Sequence, residues 1–174
     1  MKNKKLIKAV LAAMFAALVT GLTFFPKIPI PVGSGGYVHL GDAMIYLAAS
    51  FLPLPYAMAA AGIGGGLADI LSGYASYAPF TVVVKILLTI AFSYKNEKVL
   101  CKRNYIAPLF GLIITPLIYF FADGILAGSL AAAVPGIIWN ECQAIASLIV
   151  YYIVGAAFDA AGLKKKLTGK LYSD

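Results

Sequence analysis

The chain has 174 residues, of which 61% are hydrophobic and only 12% are charged. A water-facing surface needs more charge than this, so the composition excludes an ordinary soluble domain and indicates a protein surrounded mostly by lipid. The net charge of +7 comes from short basic clusters between long uncharged stretches, which is typical of membrane loops and argues against nucleic-acid binding.

Breaks at proline, glycine and charge clusters divide the chain into six apolar segments. The first runs to Phe25 without interruption and is longer than a usual signal-peptide core, so we predict that it is retained as a helix. Because a membrane-spanning helix needs about 20 apolar residues, six spans account for nearly the whole length. We predict one domain over 1–174, an all-α integral membrane protein folded as a compact bundle of six transmembrane helices. The predicted helices cover residues 6–25, 41–53, 55–72, 79–94, 105–127 and 136–160, with a long irregular loop over 26–40.

The basic residues predict the orientation of these helices. Six crossings bring three basic clusters to one side of the membrane, and the other side receives only Lys27. The clusters are Lys2, Lys4, Lys5 and Lys8; Lys95, Lys98, Lys102 and Arg103; and Lys164, Lys165, Lys166 and Lys170. Since cytoplasmic loops carry the excess of Lys and Arg, both termini are predicted to be cytoplasmic.

Small residues follow a four-residue spacing in two of the predicted helices. Ala9, Ala13 and Ala17 give helix 1 a smooth face that permits close approach of another helix, either within this chain or from a partner chain. In helix 3, Gly62 and Gly66 form a similar pair. The surrounding glycine-rich stretch lacks the Gly-Lys-Ser/Thr ending of a phosphate-binding loop, so no ATPase is expected.

Polar residues that interrupt the apolar segments all fall in the predicted outer half of the bundle. They are His39, Asp42, Asp69, Lys85, Asp123, Trp139, Asn140, Glu141 and Gln143. Ionisable groups in a membrane are costly and are usually turned inward, paired or hydrated, so the set predicts a polar chamber open to the outside. Asp42 and Asp123 could instead be solvated at helix ends. Lys85 lies deeper and needs a partner such as Asp69, Asp123 or Glu141.

Helix 6 and the tyrosines extend this prediction. Asn140, Gln143 and Ser147 have the i, i+3, i+7 spacing of one helix face, which suits either hydrogen bonds between helices or contacts to a ligand. Aromatic walls at the same level suit a small planar ligand, although an interfacial aromatic belt is the alternative. These residues are Tyr37, Tyr46, Tyr74 and Tyr77. There is no zinc-binding HExxH pair and no second histidine, so neither a metal site nor a catalytic site is expected.

Three ordered motifs resemble a known family. They are Gly36-Tyr-Val-His-Leu-Gly-Asp-Ala43, Gly65-Gly-Leu-Ala-Asp-Ile-Leu-Ser-Gly-Tyr74 and Pro79-Phe-Thr-Val-Val-Val-Lys85. Together with length, span number and orientation, they resemble the S components of energy-coupling factor (ECF) transporters, riboflavin-type group. The riboflavin label names the group, whose members on one fold bind different vitamins.

The resemblance implies a substrate-capture subunit of an ECF-type ABC importer in the bacterial plasma membrane. It implies partners as well: a transmembrane scaffold subunit, docked on Ala9, Ala13 and Ala17, and two cytoplasmic ATPases that use the ATP. This chain would then be no enzyme and would hold no cofactor of its own. Loop 26–40 would act as a lid over the ligand.

The expected ligand is a small water-soluble vitamin or precursor, similar to riboflavin, pyridoxine, hydroxymethylpyrimidine or thiamin. The expected ligand-binding residues are Tyr37, His39, Asp42, Tyr46, Asp69, Tyr74, Lys85, Asp123, Trp139, Asn140, Glu141 and Gln143. One alternative is a stand-alone secondary transporter or channel, coupled to protons through Asp42, Asp69 or Glu141. The predicted inner half has almost no ionisable residues to complete such a relay. Another alternative is an intramembrane enzyme.

Overall fold

The computed structural model describes residues 2–30 and 37–172, with side chains for 4–30 and 37–167. Helices dominate, as the sequence predicts for an all-α membrane protein. They are α1 (Lys2–Phe24), α2 (Gly41–Phe51), α3 (Leu54–Leu71), α4 (Ala78–Ile90), α5 (Lys102–Ile106), α6 (Gly111–Leu126), α7 (Leu130–Ala160) and α8 (Leu163–Tyr172). A 3₁₀ turn, Ala107–Phe110, joins α5 to α6. Two short strands, β1 (Ile28–Pro29) and β2 (Tyr37–Val38), pair antiparallel at the two ends of the predicted loop 26–40, of which 31–36 lie outside the described residues.

Four helical segments in the described part of the chain are long and apolar enough to cross a membrane. They are Lys4–Phe24, Leu54–Leu71, Lys102–Leu126 and Leu130–Ala160. At 1.5 Å per residue, α2 is only about 16 Å long and α4 about 20 Å, against a hydrocarbon core of about 30 Å. Nearly all residues of α2 are buried, so the other helices shield it from lipid.

Several helix boundaries differ from those predicted. Helix α7 begins at Leu130 rather than at 136, because Pro135 lies inside the helix and costs it one backbone hydrogen bond without ending it. The predicted helix over 105–127 starts earlier, at Lys102, and the 3₁₀ turn that contains Pro108 interrupts it. Helix α8 and the strands β1 and β2 were not predicted.

Helix α4 ends at Ile90 rather than at 94, because the buried side chain of Asn104 forms hydrogen bonds with the backbone of the residues that follow. The Asn104 side chain accepts a hydrogen bond from Ser93 N–H at 2.7 Å and donates to the carbonyls of Ser93 and Val99 at 2.8 and 2.9 Å. Asp159 of α7 accepts from Val99 N–H at 2.6 Å. Side chains distant in sequence therefore satisfy the backbone polar groups of this loop.

Glycines terminate helices where the chain must reverse direction. Gly73 follows α3 with φ +84°, and Gly128 follows α6 with φ +68°. These left-handed conformations strain any residue that carries a Cβ, so glycine is the residue that suits them. The turns bring the end of α3 close to the start of α4, and the end of α6 close to the start of α7.

The glycine-rich stretch of α3 packs against helices on two sides. A Cβ at Gly64 would lie 2.8 Å from the Ala16 carbonyl oxygen and 2.8 Å from the Val19 Cβ, both on α1. Gly62 and Gly66 approach α4 in the same way. The predicted role of these small residues in close helix packing is therefore confirmed.

Candidate functional site

A cavity opens between α3, α4, α6, α7 and strand β2. Its volume is about 40 Å³, which holds a few water molecules, so a larger ligand needs the wall to move outward. Its lining residues are Ile30, Tyr37, His39, Asp69, Tyr74, Tyr77, Thr81, Tyr119, Asp123, Asn140 and Gln143. Most are polar or aromatic, although the helices around them are strongly apolar.

Three tyrosines form a continuous aromatic wall on one side of the cavity. The ring centroids of Tyr37 and Tyr74 lie 5.2 Å apart, and those of Tyr74 and Tyr77 lie 6.1 Å apart. The His39 ring continues the wall at 5.6 Å from Tyr37. Aromatic rings at these separations attract one another and present a rigid surface on which a planar ligand can stack.

Two of these tyrosines hold carboxylates of neighbouring helices. The Tyr37 hydroxyl donates to Asp69 Oδ1 of α3, and the Tyr77 hydroxyl donates to Asp123 Oδ1 of α6, each at 2.7 Å. Both aspartates are buried, yet both line the cavity. The Thr81 side chain also interacts with the Asp69 carboxyl group, whose second oxygen, Oδ2, is buried with no partner at full hydrogen-bond geometry. This oxygen can accept a hydrogen bond from a ligand.

A buried ion pair lies behind the cavity. Lys85 Nζ of α4 is 2.6 Å from Asp42 Oδ1 of α2, and both side chains are completely inaccessible. The partner predicted for Lys85, one of Asp69, Asp123 and Glu141, is therefore wrong. Helices α2 and α4 pack directly together, which the order of the helices along the chain does not reveal.

Hydrogen bonds connect this ion pair to the loop before α2. Asp42 Oδ2 accepts from Gln143 Nε2 at 3.2 Å, and Gln143 Oε1 accepts from His39 N–H at 3.3 Å. His39 Nδ1 accepts from Gly41 N–H at 3.1 Å. Burial first, and then the charge of Lys85, lower the pKa of His39 to about 3, so His39 is neutral at physiological pH. Because a carboxylate can only accept hydrogen bonds, Asp42 binds the NH₂ group of the Gln143 side chain. The amide oxygen of Gln143 then faces the loop and accepts from His39 N–H.

The structure brings seven of the twelve predicted ligand-binding residues to the cavity: Tyr37, His39, Asp69, Tyr74, Asp123, Asn140 and Gln143. Asp42 and Lys85 lie behind this wall. Tyr46 lies apart, in the apolar core, stacked on Phe92 at 5.1 Å and edge-on to Tyr151 at 5.7 Å. Trp139 and Glu141 are half-buried on α7 and do not line the cavity.

Three lining residues were not predicted from the sequence: Ile30, Thr81 and Tyr119. Thr81 lies four residues before Lys85, and Tyr119 lies four residues before Asp123, so each shares a helix face with a residue that was predicted. The two are hydrogen-bonded to each other through their hydroxyls at 2.9 Å. The four-residue spacing was the signal that could have identified Thr81 and Tyr119. No such signal marks Ile30, because it lies in an irregular loop.

The predicted polar stripe of helix 6 is buried. Asn140, Gln143 and Ser147 of α7 all lie on its inward face. Asn140 donates to the carbonyl of Gly136, one turn earlier, at 3.0 Å. A Cβ at Gly136 would lie 2.7 Å from Asp123 Oδ2, so this glycine lets α7 approach the carboxylate closely.

The alanine face of α1 is open at the outside of the bundle. Ala9, Ala13 and Ala17 are exposed, and they form one side of a shallow apolar groove whose other side is α3. Residues of α3 in this groove include Tyr56 and Ile63. Within the described part of the chain, no helix covers these three alanines.

Comparison with known proteins gives two matches. The sequence model of the family "ECF-type riboflavin transporter, S component" matches residues 3–160. A curated protein of Pyrococcus woesei, described as an uncharacterized protein in the gap 3' region, is 45% identical over 67 residues, which is 38% of this chain. The matched segment spans only 44% of that relative.

Proposed function

The chain belongs to the S components of ECF-type riboflavin transporters, and we propose that it captures a small heteroaromatic vitamin or vitamin precursor for import. As a member of this family it is a multi-pass transport subunit rather than an enzyme. The candidates are compounds similar to riboflavin, pyridoxine, hydroxymethylpyrimidine or thiamin.

The observation that carries this proposal is the lining of the cavity, which combines an aromatic wall with a few hydrogen-bonding groups. Tyr37, Tyr74 and Tyr77 would stack on the ligand ring. Asp69, Asp123, Asn140 and Gln143 would fix its polar edge. A mixed lining of this kind is typical of small-molecule binding. Because the cavity volume is only about 40 Å³, the lining would have to open to admit the ligand.

The proposed arrangement in the plasma membrane has six spans: α1, α2, α3, α4, α5 with α6, and α7. The three basic clusters then lie on the cytoplasmic side with both termini, and the cavity opens outward. The short helices α2 and α4 are compatible with spanning because neighbouring helices surround them, and protein rather than lipid satisfies the polar backbone at their ends.

Strand β2 and the residues after it would form part of the lid. The Tyr37 hydroxyl bonds Asp69 of α3, and His39 N–H bonds Gln143 of α7, so the segment is fastened to both sides of the cavity. Only a few hydrogen bonds need to break for this segment to lift. A ligand could then enter and leave without unfolding the helices.

Native mass spectrometry of the gently purified protein, expressed in rich medium, tests the proposal. We expect a bound molecule of a few hundred daltons, whose identity names the vitamin. An empty protein that also binds no member of a vitamin panel would contradict capture. Uptake into vesicles by this chain alone, without the ATPases, would favour the secondary transporter.

The exposed alanine groove would be the docking surface for the scaffold subunit, which together with two ATPases would supply the energy. We expect Ala13→Trp to abolish co-purification with the scaffold subunit, since the indole fills the groove between α1 and α3 and prevents close helix approach. Ligand binding should remain, because the substitution lies away from the cavity.

The matched control is Ile145→Trp, which places the same indole at an exposed position of α7. This control should co-purify with the scaffold subunit normally. Normal co-purification of Ala13→Trp, or equal loss in both variants, would contradict docking at the alanine groove.

A further inference from the structure

We propose that the ligand of this cavity carries a positive charge, so that the protein captures a cationic heteroaromatic compound rather than a neutral or anionic one. This inference rests on the proposed function and names the chemical class of its ligand. Its first observation is the charge of the wall: the lining includes two carboxylates, Asp69 and Asp123, but no lysine or arginine. His39, the histidine in this lining, is neutral.

The cation Lys85 offsets these carboxylates only in part. It attracts Asp69, but it is fully buried with its Nζ 2.6 Å from Asp42, whose negative charge opposes that attraction. Lys27 is exposed, with Nζ 5.4 Å from the Tyr37 ring centroid and 5.0 Å from that of Phe24, and it does not line the cavity. The segment 31–36 has no charged residue in its sequence.

Asp69 gives the second, independent observation. Its Oδ1 accepts from the Tyr37 hydroxyl, and the Thr81 side chain interacts with the same carboxyl group. Its Oδ2 is buried with no partner at full hydrogen-bond geometry. Desolvating a carboxylate oxygen is costly, so this oxygen is a strong acceptor at the cavity wall. A ligand N–H⁺ or ammonium group would satisfy both the hydrogen bond and the charge.

The aromatic wall favours the same ligand. The faces of electron-rich rings attract cations, and several aromatic rings around one site are the usual means of recognising them. Tyr37, Tyr74 and Tyr77 supply these faces beside the carboxylates. A fourth lining tyrosine, Tyr119, already has Lys85 Nζ over its ring, 5.7 Å from the centroid. A phosphate or carboxylate ligand would meet two aspartates at a wall that contains no lysine or arginine, and burial would strengthen the repulsion.

Matched probes test the inference by isothermal titration calorimetry on ligand-free protein in detergent. One pair is thiamine, a thiazolium cation, and its neutral isostere 3-deazathiamine. The other is pyridoxamine, which carries an ammonium group, and pyridoxine, which carries a hydroxyl instead. Riboflavin and biotin serve as a neutral and an anionic probe. In the pair that binds, we expect the cation to bind at least about tenfold more tightly.

Tight binding of riboflavin or biotin, without binding of either cation, would overturn the inference while leaving vitamin capture intact. Equal affinity within a matched pair would overturn it as well. Binding of none of the six probes would count against the proposed function itself, and the inference would fall with it.

Charge removal at constant shape gives a second test. Asp69→Asn and Asp123→Asn should each lower affinity for the cationic probe about tenfold and change affinity for its neutral isostere less than about threefold. Asparagine can still accept the tyrosine hydrogen bond, and an unchanged melting temperature would show that the fold is retained. Glu97→Gln, at an exposed carboxylate in the loop after α4, should change neither affinity. Equal losses for both probes would assign the aspartates a structural role and overturn the inference.

Discussion

Replacing Lys85 with methionine is expected to destabilise the protein by about 3–5 kcal/mol, because it leaves the Asp42 carboxylate buried without its cation. Both partners are completely inaccessible, and their charged atoms are 2.6 Å apart. Thermal and denaturant unfolding in detergent would measure the effect.

Two further variants show whether the pair itself is responsible. Lys165→Met makes the same substitution in the exposed pair with Glu97, at 3.2 Å, and should cost less than about 1 kcal/mol. The double variant Lys85→Met, Asp42→Asn removes both charges and should recover more than half of the lost stability. A wild-type melting temperature for Lys85→Met would contradict the expectation, as would no recovery in the double variant.

The structure also changes the functional interpretation of Lys85. As one of the expected ligand-binding residues, Lys85 would be needed for binding but not for the fold. Lys85 does not line the cavity, so it would act through Asp42, which orients the Gln143 amide at the wall. We therefore expect loss of binding to accompany loss of stability.

Replacing Gly64 with leucine is expected to destabilise the packing of α1 on α3 by about 3 kcal/mol. A Cβ at Gly64 would lie 2.8 Å from the Ala16 carbonyl oxygen and 2.8 Å from the Val19 Cβ. The backbone carbonyl cannot move aside without displacing α1. That displacement would also break the hydrogen bond from the Thr20 hydroxyl to the Gly64 carbonyl, at 3.0 Å. A lower melting temperature and a smaller yield of monodisperse protein would report the effect.

Gly21→Leu provides the matched control, since a Cβ at Gly21 has no atom within 4 Å. Gly21 lies in α1, and there leucine has the higher helix propensity, so this variant should be as stable as the wild type or slightly more stable. Similar stability of the Gly64 and Gly21 variants would contradict the packing argument.

The candidate site could be predicted in part, because polar residues in an apolar chain are expected to face inward, away from lipid. This argument identified Asp69, Asp123, Asn140 and Gln143 as inward-facing, and the structure places all four at the cavity. It failed for Tyr46. A tyrosine is apolar enough to pack in a core, and at that position it does so against Phe92 and Tyr151.

The amino-acid sequence by itself determined that lipid surrounds this protein and that it is an all-α membrane protein. Long apolar segments with charge confined to short clusters leave no stable state except helices in a membrane, because lipid offers no partner for unpaired backbone groups. The ordered motifs likewise indicated the family, and the match over residues 3–160 agrees.

Only the tertiary structure decided which polar groups meet. Lys85 pairs with Asp42, 43 positions earlier in the chain, and Gln143 bonds the same carboxylate from α7. Helix periodicity states which face a residue occupies but not which helix lies opposite that face. The packing of α2 against α4 and α7 places the ion pair behind the cavity wall. Which polar residues pair depends on the distances between helices, and local sequence does not encode these distances.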